Sequence, residues 1–192
     1  MSSFLRLLGA ALLVLPLVGC GPPQPGFKNT DVTGADCCKD FRLTDHNGKV
    51  RTLADFRGKA VVMFFGYTQC PDVCPTTMLE MKAVLQQLGA DAQRVQVLFV
   101  TVDPERDTPA VMKDYLSSFD PHLRGATGDP KAIDAVVKAY RVYAKKVPTD
   151  NGDYSMDHTA LVYLMDKQGR FVAPFKLNRK PEDAAADLRK YM

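Results

Sequence analysis

The residues best suited to chemistry in this 192-residue chain stand in GYTQCPDVCP, residues 66–75. Cys70 and Cys74 are separated by three residues, and each is followed by a proline. They follow KAVVMFFGY, an apolar run that reads as a strand buried on both faces. They precede Met78, Met81, Leu85 and Leu88, whose spacing predicts a helix that stops near Gly89. With Pro75 at the first helical position, Cys74 falls at the N-cap. A helix N-terminus favours the thiolate, and thiolate both attacks disulfides and binds soft metal ions. A purely structural disulfide would close a loop already held by its helix and would gain little.

A histidine bears on the choice between these chemistries. A thioredoxin-like oxidoreductase uses C-x-x-C and a cis-proline just ahead of a later strand. Here the cysteine spacing is one residue longer, and no proline occurs between Pro148 and Pro174. The position ahead of that strand, in YSMDHTALVYL, holds His158. Two thiolates and one imidazole make an S2N donor set. With no fourth Cys or His nearby, that set suits Cu(I) better than structural zinc, which closes with four ligands. Asp157 is a candidate to orient the imidazole, and Asp72 to cap the helix or hold the cysteine loop. Met78 and Met81 read as core residues, and His46 and His122 as surface residues. A peroxide-reducing site would place a proline upstream of its cysteine, and YTQC offers only Thr68.

The elements that must position these groups are legible in the pattern. FRLTDHNGKVRTL reads as a hairpin around Asn47-Gly48. RVQVLFVTVD is a second buried strand. TPAVMKDYLSSF is a helix capped by Thr108 with Pro109 at its first position. DPKAIDAVVKAYRVYAKKV reads as a third helix, with Asp129 and Pro130 in the same roles. HTALVYLMDKQGRFVAPFK gives two strands around a Lys167-Gln168-Gly169 turn, and KPEDAAADLRKYM a last helix. Asp103 in DPERDTP reads as a cap of the helix after Thr108. Strand-helix-strand crossovers demand parallel pairing and the late hairpin antiparallel pairing. The fold expected is α/β and thioredoxin-like, a central mixed sheet flanked by helices with an N-terminal β-hairpin extension.

GYTQCPDVCP, VTVDPERDTP and YSMDHTALVYLMD together resemble the signatures of the Sco/SenC family, in family order, over most of the chain from Phe41 onward. These are membrane-tethered, thioredoxin-fold copper proteins that help assemble the dinuclear copper (CuA) centre of cytochrome c oxidase. The resemblance implies a metallochaperone rather than an enzyme. It implies copper, as Cu(I) and in a second state Cu(II), held by Cys70, Cys74 and His158. It implies as partners the copper-carrying subunit of the oxidase and other periplasmic copper chaperones or thiol reductases. A reductase acting on the cysteines of that subunit is the alternative, with Cys70 and Cys74 as its redox-active pair.

The N-terminus carries a different signal. MSSFLRLLGAALLVLPLVGC has one charge, Arg6, then an apolar stretch from Leu7 to Val18, short for a membrane span and interrupted by Pro16. It ends in LVGC, a lipobox-like site. Residues 1–19 are therefore expected to be a lipoprotein signal peptide, with Cys20 acylated and the chain lipid-anchored in the periplasm at the outer face of the cytoplasmic membrane. Residues 20–40, rich in Pro and Gly, read as a linker, and 41–192 as the copper-binding domain. Cys37 and Cys38 are adjacent, and once Cys20 is acylated an oxidising compartment favours their pairing. Net charge is only +3 with no run of basic residues, which excludes nucleic acid as a partner on electrostatic grounds. At 46% hydrophobic and 24% charged residues the chain has the balance of a globular domain with a sizeable core.

Overall fold

The computed structural model describes residues 29–192. The expected signal peptide and Cys20 lie outside those residues. Among the described residues no helix is long and apolar enough to cross a membrane.

Nine strands and four α-helices form among the described residues: β1 Arg42–Asp45, β2 Val50–Thr52, β3 Ala60–Gly66, α1 Val73–Leu88, β4 Val95–Thr101, α2 Pro109–Ser117, β5 Leu123–Thr127, α3 Pro130–Ala139, β6 Ala144–Pro148, β7 Tyr154–His158, β8 Val162–Met165, β9 Phe171–Pro174 and α4 Pro181–Arg189. Seven strands make one mixed sheet in the order β2-β1-β5-β4-β3-β8-β9. β3 and β4 are its centre, every residue of both buried, which is why each reads as an unbroken apolar run. They pair in parallel from Ala60↔Val95 to Gly66↔Thr101, with α1 as the crossover. β8 joins β3 antiparallel, and β9 returns beside β8 through a tight turn. This is the thioredoxin-like arrangement, with β1–β2 as an added hairpin.

Side chains alternate across β3, so each face of the sheet has its own company. Phe64 stacks on Phe99 on one face, and Phe65 packs on Tyr140 and Tyr163 on the other. The two local caps form as expected: Thr108 and Asp129 accept from Val111 N and Ala132 N.

Three departures from the sequence reading have physical causes. α1 starts at Val73 with Asp72 at the N-cap, so Cys74 lies inside the first turn. The first main-chain bond of the helix runs from Thr76 N to Asp72 O at 3.2 Å. Proline lacks only an N–H that no residue of the first turn needs, so Pro75 does not mark the first position. The third helix ends at Ala139, because Arg141 takes a left-handed φ of 53°. The chain then enters β6, paired antiparallel with β7 as a separate two-stranded sheet. β5, unassigned from sequence, is short and centred on Gly125, where a Cβ would lie 2.9 Å from the Met112 Cε.

The segment before Phe41 has no strand or helix among its described residues, yet it lies on the domain. Val32 N donates to Val172 O at 2.7 Å, Cys38 N donates to Ala139 O at 3.1 Å, and the Tyr191 hydroxyl donates to Asp31.

Candidate metal centre

Gly66 ends β3 at the sheet's edge, and the chain turns through Tyr67 to Cys70, whose N–H returns to Tyr67 O at 3.2 Å. The turn must let the Cys74 sulfur come against the end of the strand. A Cβ on residue 66 would stand 2.7 Å from Cys74 Sγ and 2.8 Å from the Phe64 ring, so only glycine fits here.

His158 arrives from the far end of the chain. It is the last residue of β7 and pairs with Ala144 of β6. Its ring lies edge-on between Phe64 and Tyr67, with centroids 6.1 and 5.8 Å away. Nδ1 lies 3.2 Å from Thr159 O. A carbonyl can only accept, so that contact places the proton on Nδ1 and leaves the Nε2 lone pair free. Nε2 is 3.7 Å from Cys74 Sγ. The donor atoms of Cys70, Cys74 and His158 all lie within 4.8 Å of one another, and among the described residues this is the group of Cys, His, Asp and Glu so placed to hold a metal ion.

The electrostatics of Cys74 differ from the sequence expectation. Cys74 is fully buried, and that burial pushes its thiol well up; Cys70 beside it pushes the same way, while a main-chain hydrogen bond at Tyr67 pulls it partly down. Lying within the first turn rather than capping it, Cys74 is governed by desolvation. A cation held by Cys70 and Cys74 would supply the positive charge that offsets a buried thiolate.

The hydrogen bonds of the His158 ring go to Cys74 and the Thr159 carbonyl rather than to either carboxylate expected around the site. Asp157 is exposed and, one residue from His158 along β7, projects to the opposite side of the strand. The contact to the imidazole Nδ1 comes from the Thr159 carbonyl instead. Asp72 occupies the N-cap, yet its side chain makes no capping hydrogen bond. Met78 and Met81 are buried in the core. His46 and His122 lie elsewhere: Gly125 N donates to His46 Nδ1, and His122 Nδ1 donates to Asp120.

Two acids of DPERDTP do the positioning. Asp107 is wholly buried and accepts from Thr68 N, from the Thr68 hydroxyl at 2.6 Å and from the Thr101 hydroxyl at 2.7 Å. It thereby ties the turn before Cys70 to the end of β4. Burial pushes its carboxyl up, against the pull of those hydrogen bonds. Asp103 pairs with Arg106 and accepts from the Tyr154 hydroxyl at 2.9 Å. Arg106 donates to Tyr154 O at 2.9 Å and to Asp153, and its guanidinium lies 3.7 Å over the Tyr154 ring. Lys146 of β6 pairs with Glu105 in the turn after β4. The β6–β7 hairpin that carries His158 is thus held to the domain by side chains. The sequence signal for this was three acids, Asp103, Glu105 and Asp107, in a segment where Thr108 already caps the helix.

Comparison with known proteins places this arrangement. The family model described as SCO1/SenC matches residues 29–192. The chain belongs to the SCO1/SenC family. A Rickettsia felis SCO2-like protein is 33% identical over 184 residues, covering 95% of this chain and 90% of that one. The mitochondrial SCO2 homolog of Bos taurus is 43% identical over 156 residues, 80% of this chain, and the match spans 59% of the cattle protein's length. Among solved structures, Bradyrhizobium japonicum ScoI with copper bound superposes with a TM-score of 0.79 at 61% identity, covering 81% of this chain and 99% of that chain. Yeast Sco1 with copper bound gives a TM-score of 0.74 at 34% identity, covering 81% and 88%.

Proposed function

We propose that this SCO1/SenC protein binds copper through Cys70, Cys74 and His158 and delivers it to, or prepares, the CuA site of cytochrome c oxidase. The observation that carries the reading is the approach of three soft or borderline donors to within 4.8 Å, from two parts of the chain. Two thiolates and an imidazole suit Cu(I), and three ligands leave a position at which an incoming thiolate can bind before the donor lets go. The copper-bound state of the similar ScoI and Sco1 structures supports the same choice of metal. Acylation of Cys20 would tether the domain in the periplasm beside a membrane-bound oxidase, with the copper-carrying subunit as partner. That part of the proposal rests on LVGC and the apolar stretch before it.

The test is metal analysis of reduced and oxidised protein after desalting. The reduced protein should retain about one copper per chain, and the form with Cys70 and Cys74 joined should retain essentially none, since neither sulfur is then a thiolate. Cys70→Ser, Cys74→Ser and His158→Ala should each lose stable copper. Copper retained at full stoichiometry by the double-serine variant overturns the ligand assignment. The nearness of the two sulfurs also favours a second reading, thiol-disulfide exchange on the oxidase cysteines. His158→Ala separates them: it leaves exchange intact, so full support of oxidase assembly by that variant would favour the reductase.

A further inference from the structure

Cys37 and Cys38 play no part in the metal centre, yet their geometry is not that of two unrelated thiols. Neighbouring residues in an extended chain send their side chains to opposite sides. Here Cys38 takes a left-handed φ of 57°, a conformation uncommon for any residue but glycine. The result is that both sulfurs come to the same side, with Sγ to Sγ 2.9 Å, about 0.9 Å beyond the length of a disulfide bond. Packing alone accounts for Cys38, which is 3% exposed and acts as a small apolar residue. Cys37 is half-buried against the same core, and its sulfur turns back upon that of Cys38.

The surroundings hold this geometry in place. Cys37 N donates to Ala35 O at 2.8 Å and Cys38 N to Ala139 O at 3.1 Å, which pins the pair to the end of α3. Ala139 is followed by Tyr140, whose ring packs on Tyr163. Those rings pack on Phe65, whereas Cys74 and His158 lie against Phe64 and Gly66. Because 64 and 65 face opposite sides of β3, the sheet stands between the two cysteine pairs.

We propose that Cys37 and Cys38 are a second dithiol–disulfide couple, independent of Cys70 and Cys74, that takes small or protein disulfides as its oxidant. Cys37, the less buried of the two residues, attacks as thiolate on one sulfur of a disulfide R–S–S–R. The S–S bond breaks, a mixed disulfide forms on Cys37, and the first RS⁻ leaves and takes up the Cys37 proton. Cys38 then gives up its proton and attacks the Cys37 sulfur. The vicinal S–S bond forms, and the second RS⁻ leaves with that proton. Two thiols are oxidised and one disulfide is reduced to two thiols. Adjacent α-carbons are only about 3.8 Å apart, less than most disulfides span, so the bond formed is strained and readily reduced.

The experiment uses the unaltered full-length chain and oxidised glutathione. After native treatment, acid quench and alkylation, trypsin releases Asn29–Lys39, which contains Cys37 and Cys38 and no other cysteine. The expected peptide is about 2 Da lighter than the dithiol, carries no alkyl group, and regains two alkylatable thiols after reduction. Cys38→Ser should stop at a glutathione adduct on Cys37, and Cys37→Ser should leave Cys38 unmodified. Two alkyl groups on the oxidised wild-type peptide, or a cross-link from it to the peptide carrying Cys70 and Cys74, would overturn the couple. Modification of Cys38 in Cys37→Ser at the wild-type rate would overturn the order of attack.

Discussion

Replacing Asp107 by alanine should damage the metal centre without touching a ligand. The carboxylate serves three donors: the buried Thr101 hydroxyl, and the part-buried Thr68 N and Thr68 hydroxyl. Hydrogen bonds to a charged acceptor that leave their donors stranded cost about 1–1.5 kcal/mol each at the low end, so the three sum to roughly 3–4.5 kcal/mol. A part is returned, because burial holds the Asp107 carboxyl above its ordinary range and its removal relieves that desolvation. The net expectation is a loss of about 2–4 kcal/mol in unfolding free energy. Urea unfolding of the reduced, metal-free protein measures it. Asp107→Asn keeps the shape and one acceptor, and either threonine hydroxyl can turn to accept from the amide, so it should recover more than half of the loss. Copper competition against a chromophoric chelator should show Asp107→Ala weakened, because Thr68 stands two residues before Cys70. An alanine variant within about 0.5 kcal/mol of the parent would refute the reasoning. So would an asparagine variant as damaged as alanine, since the effect would then be charge rather than stranded donors.

Arg106→Ala removes the group that joins Asp103 to Tyr154 O and the Tyr154 ring, so amide exchange across 144–158 should quicken and copper affinity fall; unchanged exchange there counts against a side-chain latch. Arg106→Lys should not restore it, because an ammonium cannot reproduce the planar, forked contact. Gly66→Ala forces a Cβ to 2.7 Å from Cys74 Sγ and should cost about 1–3 kcal/mol with copper binding impaired, read by thermal unfolding and metal analysis. Burial alone would raise the Asp45 carboxyl, but hydrogen bonds from Arg51, Lys49 N, Asn47 N and Arg124 bring it from 3.8 down to about 2. Its folded value being the lower one, the stabilisation of about 2 kcal/mol is complete above pH 3.8 and disappears as the pH falls through 2. The stability gap between wild type and Asp45→Asn should therefore narrow in acid, and a gap constant from pH 7 to 2.5 would contradict the assignment.

What could be read in advance was what is encoded locally. β3 and β4 announced themselves as unbroken apolar runs, α2 and α3 by Thr108-Pro109 and Asp129-Pro130, and the residues that converge at 70, 74 and 158 by rare residue types at telling places. β5 escaped because five residues around Gly125 carry almost no strand propensity and are held by β4 and β1 on either side. β6 escaped because Tyr140, Val142 and Tyr143 continue an apolar pattern that the left-handed turn at Arg141 breaks. Asp107 and Arg106 escaped as functional residues because their partners, Thr68 and Tyr154, lie 39 and 48 positions away. No local rule points across such a gap, whereas a cap three residues away is written into the sequence itself.

Among the described residues, the two-stranded sheet of β6 and β7 shares no main-chain ladder with the seven-stranded one. A cargo ion bound by residues 70, 74 and 158 would therefore act as a rivet between two bodies, closing a loop of more than eighty residues. Such a closure withdraws conformational freedom from the hairpin and returns it when the ion departs. Loaded and empty protein would then differ in stiffness at an exposed arm, well beyond the three ligands themselves. If the chain carries copper as proposed, a partner that meets the hairpin first would encounter a stiffer arm on the loaded protein than on the empty one.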